Sequence, residues 1–184
     1  DIGQIREYEA DIATDYNSYN YAYYYLNYTK FLTEGTKDEN GGTTYTDEQH
    51  AAAREEAKKV ADSLATAENV EALDKAIAAL EINKSATNAA STKANNTLGS
   101  SVNSTLKDWV TNASRLENDV TVIPYETTST DADGKETTTI SGYYVVMFQS
   151  VETNERPVGN VRHLLVKFEG GTKDEQGNTT YTAK

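Results

Sequence analysis

The chain contains two histidines and no cysteine, which removes thiolate nucleophiles, thiolate metal sites and disulfides from consideration. In the stretch "NVRHLLVKF", His163, Leu165 and Lys167 are spaced by two, and alternate residues of a strand share a face. That parity suits a histidine in a pocket with a lysine at its rim. It also suits a histidine satisfied within a sheet, and the residues alone favour this plainer reading. His50, beside Gln49 in the first turn of a charged helix, is expected to be solvated. The acidic turns "DADGKE" and "KDENGG" do not continue into a twelve-residue calcium loop with a terminal bidentate Glu, so no metal or cofactor is implied. The Asn-x-Ser/Thr triplets at Asn27, Asn83, Asn103, Asn112 and Asn178 are expected in a chain this rich in Asn and Thr.

Composition narrows the partners. A formal charge of −12 over 184 residues opposes nucleic acid, because phosphate binding needs a basic surface to release counterions. Hydrophobic content of 37% and charged content of 25% fit a globular domain poor in bulky aliphatics, with 13 tyrosines partly filling the gap. No segment approaches the roughly 18 apolar residues of a membrane span. The chain opens without methionine, as expected of an excised or processed piece, and the absence of cysteine favours export from a bacterium that builds secreted proteins without disulfides.

These residues must be positioned by elements, and the pattern supplies them. Ile2, Ile5, Tyr8 and Ile12 predict a short entry helix. "YNYAYYYLNYTKFL" alternates as Ala22, Tyr24, Leu26, Tyr28 with tyrosine on the odd positions too, a strand packed on both faces. Tyr19, Tyr21, Tyr23, Tyr24, Tyr25 and Tyr28 suit either core or a peptide-binding face, and most are assigned to the core. Thr46 with Gln49 reads as a capping box, followed by the stripe Ala53, Ala57, Val60, Ala61, Leu64. A second helix carries Val70, Leu73, Ile77 and Leu80. Residues 83–105 read as a long exposed loop with at most a weak helix. A third helix carries Leu106, Trp109, Val110 and Ala113, with Trp109 as its core anchor. The last segment reads as a hairpin turning at Asp133-Gly134.

The chain also repeats itself. Gly35 to Thr46 matches Gly171 to Thr182 at every position except Asn40/Gln176 and Gly42/Asn178. With one residue fewer in the second copy, Tyr28-Thr29-Lys30-Phe31 aligns with Leu165-Val166-Lys167-Phe168, and Leu26 falls opposite His163.

"VRHLLVKF", together with the Trp109 helix, "LENDVTVIP" and "SGYYVVMF", resembles the parvulin-type peptidyl-prolyl isomerases. The tyrosine-rich strand and Gly-Thr loop resemble those of multi-module foldases exported by Gram-positive bacteria. The resemblance implies an α+β fold: a parvulin-like β-α-α-α-β-β module with a short N-terminal helix and an extra C-terminal strand. The implied organisation is an entry helix at 1–17, a degenerate module at 18–151, a linker at 152–160 and the opening strand and loop of a second module at 161–184. It further implies His163 as a catalytic position, Leu165 and Lys167 as substrate contacts, no cofactor, and unfolded or proline-containing polypeptides as clients at a bacterial cell envelope. Leu26, and Tyr144 where the family often has histidine, mark the first module as non-catalytic. A peptide-binding chaperone or scaffold domain of a cell-surface protein is the alternative. The strand at 161–168, apolar on both faces, is expected to pair with a sheet edge of this chain or, in a strand-exchanged homodimer, of a second copy.

Overall fold

A computed structural model of the chain describes residues 14–130, 134–153, 171–173 and 175–180. The chain forms two compact units, Asp1–Asn154 and Glu155–Lys184. The first is α+β. Its centre is strand β1 (Ser18–Asn27), followed by a short hairpin of β2 (Thr36–Lys37) and β3 (Thr43–Thr44). Helices α1 (Asp47–Leu64) and α2 (Val70–Ala79), strand β4 (Thr92–Leu98), helix α3 (Ser104–Val110) and the long hairpin of β5 (Val120–Thr130) and β6 (Glu136–Glu152) complete it. The sheet runs β4-β1-β6-β5, with every pairing antiparallel.

The two central strands are apolar on both faces because both faces are covered. On one side Leu26, Tyr143, Val145 and Met147 pack with Ala57, Ala61 and Leu64 of α1 and Leu73 and Ile77 of α2. On the other, Tyr19, Tyr21, Val146 and Phe148 pack with Val102 and with Leu106 and Val110 of α3. The buried face of α1 is alanine at Ala53, Ala57 and Ala61; small side chains let the helix lie close to a sheet whose own residues are large.

Local signals place the helix starts. The Thr46 hydroxyl accepts from the Gln49 N–H at 3.3 Å and Gln49 Oε1 accepts from the Thr46 N–H at 2.8 Å, satisfying two amides that the first turn leaves open. Asn69 caps α2 by accepting from the Ala72 N–H at 2.9 Å. The Glu48 carboxyl is held below its usual range by its own backbone N–H and then by Thr46, as expected of an acid at a helix start.

Four expectations change. Residues 83–105 are not one exposed loop. They contain β4, which pairs with β1 from Ser18↔Leu98 to Tyr23↔Thr92. "TKANNTL" has no apolar alternation to announce a strand; it is one because its backbone completes the outer ladder of β1. The first strand also stops earlier than its apolar run suggests. The Asn27 side chain accepts from the Thr29 N–H at 2.9 Å and turns Tyr28–Phe31 into a 3-10 helix. The third helix ends at Val110, leaving Ala113 exposed. Trp109 is only half-buried beneath the Arg115 guanidinium, 4.8 Å from its ring, and the buried anchors are Leu106 and Val110.

Both outer strands carry features that discourage added strands. β4 is bulged, with its register shifted between Tyr19 and Tyr21, Asn96 at φ 49° and its N–H held by Asn20 Oδ1 at 2.7 Å. β5 carries Pro124, which has no N–H to offer. The expected strand at 161–168 and its edge pairing lie outside the described residues, as do residues 1–13 of the entry helix.

In the second unit, strands β7 (Thr172–Lys173) and β8 (Thr179–Thr180) repeat the earlier hairpin. Thr172 pairs with Thr180 and Lys173 with Thr179, as Thr36 pairs with Thr44 and Lys37 with Thr43. Gly41 at φ 81° and Gly177 at φ 85° occupy the same left-handed position, which glycine takes without penalty.

Candidate functional site

A face of tyrosines lies on the α3 side of the sheet. Tyr23 and Tyr25 of β1, Tyr144 of β6 and Tyr125 of β5 are all half-buried. Tyr25 and Tyr144 are Cα partners across β1 and β6, and their ring centroids are 4.8 Å apart. Tyr125 meets both edge-on, at 5.8 Å from Tyr25 and 5.8 Å from Tyr144. Tyr23 reaches Tyr144 at 6.1 Å. These are the spacings at which aromatic quadrupoles attract.

One ring of the array is also anchored by its hydroxyl. Tyr25 Oη donates to the Ser141 carbonyl at 3.0 Å, and Ser141 Oγ pairs with Thr127 Oγ1 at 2.6 Å. Gly142 is required at this crossing, because a Cβ there would stand 2.5 Å from the Leu26 carbonyl and 2.7 Å from the Tyr25 ring. Burial, then the neighbouring Tyr144 and Tyr125, push the Tyr25 phenol above its usual value. Burial, then Tyr125 and Tyr23, do the same at Tyr144. Neutral rings in such an array can stack on planar or ring-shaped groups and can donate hydrogen bonds, but they offer no activated nucleophile.

Leu26, which aligns with His163, is fully buried on the α1 and α2 side. Tyr144 belongs to the opposite face. The β1 residue that meets Tyr144 is Tyr25, so an alignment one residue out of step reads the wrong side of the sheet. The expected site residues His163, Leu165 and Lys167 lie outside the described residues. Of the strand tyrosines, Tyr19 and Tyr21 are core residues, each 4% exposed. Tyr24 faces the helices and accepts from Asn83 Nδ2 at 2.9 Å.

His50 is not the solvated residue that its position suggested. It is half-buried, with Nδ1 3.2 Å from Tyr28 Oη and its ring edge-on to Tyr28 and Tyr45. The Arg54 guanidinium lies 4.5 Å from the Tyr28 ring centre, and Arg54 Nε donates to the Ile140 carbonyl at 2.9 Å. The cluster ties the start of α1 to the chain leaving β1 and to β6. Its only trace in sequence is the His50/Arg54 spacing of one helical turn beside a tyrosine-rich strand.

Comparison with family models, with curated proteins and with solved structures found no match. Among the described residues no helix is long and apolar enough to cross a membrane.

Proposed function

We propose that residues 18–151 form a degenerate parvulin-like module of an exported foldase, one that holds extended, proline-containing polypeptide on its tyrosine face without isomerising it. The observation that carries this reading is the set of mutual ring contacts among Tyr23, Tyr25, Tyr125 and Tyr144 on a half-buried sheet face. Tyrosine offers broad amphipathic contact at low entropic cost.

Prolyl isomerisation has a barrier of about 20 kcal/mol from amide resonance. A catalyst lowers it with an apolar cradle and polar groups that favour the twisted amide. In this module the position aligned with the strand histidine is the core residue Leu26, which supports a holding role over a catalytic one. Catalysis, in this reading, belongs to a module built on His163, with Leu165 and Lys167 contacting substrate. A scaffold domain of a cell-surface protein that binds peptide is the second reading, and the same tyrosine face favours it.

Titrating a fluorescent, unfolded, proline-containing peptide against the chain tests the holding role. Saturable binding that Tyr144→Ala weakens is expected, with no acceleration of cis-trans exchange by NMR. Absence of saturable binding overturns it. The assignment to a foldase is tested separately: exchange catalysis by the intact protein that survives His163→Ala overturns the place given to His163.

A further inference from the structure

A cavity opens on the α1 and α2 side of the sheet, opposite the tyrosine face. It is a groove of about 690 Å³ between the 3-10 helix, α1 and the residues that follow α2. Its floor is Phe31, Val60, Leu80 and Ile82, half-buried side chains packed against the core beneath α1 and α2. Its size lies in the range of clefts that enclose ligands, enough for a few residues of a peptide.

The rim is acidic. Glu34, Glu56 and Glu81 line it, and Lys30 is the one cation among the described lining residues. Glu81 is bridged to Lys84, and Glu56 lies 3.9 Å from Lys59. Glu34 has no ion pair among the described residues. Its backbone is held in the left-handed region at φ 58°, with its carbonyl accepting from Gln49 Nε2 at 3.2 Å. A β-unbranched charged residue in that conformation is fixed by its surroundings rather than by preference. The capping box that starts α1 therefore also sets one wall of the groove.

An apolar floor under carboxylates, on a chain of net charge −12, selects by complementarity. We infer that this groove is a second polypeptide site, distinct from the tyrosine face, which takes segments pairing a bulky aliphatic or aromatic residue with lysine or arginine. The apolar side chain enters between Phe31 and Val60 while the cation meets Glu34 and Glu56 at the rim. Acidic segments are repelled.

The test uses the full chain and two fluorescent probes, a peptide alternating leucine with lysine and its leucine–glutamate counterpart, followed by anisotropy. The leucine–lysine peptide is expected to bind saturably and more weakly as salt rises. The double variant Glu34→Lys/Glu56→Lys should weaken it by about tenfold. Ala52→Trp, at an exposed position on the α1 wall, should block it without changing charge. Circular dichroism melts of both variants verify that they are folded. Equal binding of the leucine–glutamate peptide overturns the inference, as does absence of saturable binding. Binding lost in Tyr144→Ala but kept in both groove variants also overturns it, by placing the peptide on the tyrosine face.

Discussion

Leu26 and Tyr144 lie on neighbouring strands and face opposite sides of the sheet: Leu26 is Cα partner to Tyr143, and Tyr144 to Tyr25. A histidine introduced at Leu26 would enter the layer packed under α1 and α2, where desolvating an imidazole is costly. Leu26→His is therefore expected to create no isomerase activity and to cost about 3 kcal/mol or more. Leu26→Ala should cost about 2 to 5 kcal/mol through the cavity it leaves. Urea denaturation followed by circular dichroism checks both; a Leu26→His protein as stable as the parent would show that the site is not closed.

The tyrosine face is expected to stabilise the fold as well as to bind. Removing Tyr144 deletes contacts to three rings, and each aromatic pair contributes about 0.5 to 1.5 kcal/mol beyond simple burial. Tyr144→Phe should keep stability and most peptide affinity, because among the described residues the Tyr144 hydroxyl makes no hydrogen bond within the array, whose contacts to Tyr144 are between rings. Tyr25→Phe should lose more, since Tyr25 Oη is bonded to Ser141. Equal effects of the two phenylalanine variants would contradict this ordering.

The edge strand β4 is pinned to α2 by a charged anchor, and that anchor titrates. Asp74 Oδ1 accepts from the Ser91 N–H at 2.8 Å and from the Ser91 hydroxyl at 2.6 Å, while Oδ2 pairs with Lys93. Burial pushes the Asp74 carboxyl up, but the hydrogen bonds from Lys93 and Ser91 outweigh it and leave the group below its usual value. A carboxyl lowered by folding contributes stability that is present above its unfolded pKa and is lost as pH falls through the folded one. Asp74→Asn should flatten the acid side of the stability–pH curve and speed amide exchange along β4. An unchanged acid limb would show that the anchor is fully screened.

Arg54 joins α1 to the sheet through the Tyr28 ring and the Ile140 carbonyl. Arg54→Ala is expected to cost about 1 to 2 kcal/mol, whereas Arg54→Lys should recover only part, because an ammonium cannot stack as the planar guanidinium does. Thermal melts of the two variants measure the difference.

The duplicated hairpin should respond to local changes only. Gly41→Ala meets no atom within 4 Å, so its cost is the left-handed backbone alone, about 1 kcal/mol. Hydrogen exchange at the Asp38 amide, which donates to the Gly42 carbonyl at 2.9 Å, should accelerate while amides of β1 and β6 stay protected. Loss of protection in the sheet would mean that the hairpin is coupled to the core.

Much of this architecture was legible in the residues. The capping box at Thr46 and Gln49, the alanine stripe of α1, the Leu73/Ile77 spacing of α2, the alternation of β1 and the hairpin signal at Asp133-Gly134 are local patterns. Local backbone geometry turns each into one element. The hairpin shows this most directly, since nearly the same twelve residues close with the same register in both compact units. Other features depended on partners far away in sequence. β4 has no apolar signal and exists because β1 left one ladder of amides and carbonyls to be paired. His50 looked exposed on its own helix and is half-buried because Tyr28 and Tyr45 fold over it. Whether a tyrosine of β1 is core or surface could not be read from its position either. Alternation assigns residues to two faces, but only what packs there decides which are covered: Tyr19 and Tyr21 join the cluster of Val102, Leu106 and Val110, and Tyr25 does not. A period of two is a property of the strand itself; burial is a property of whatever packs against it.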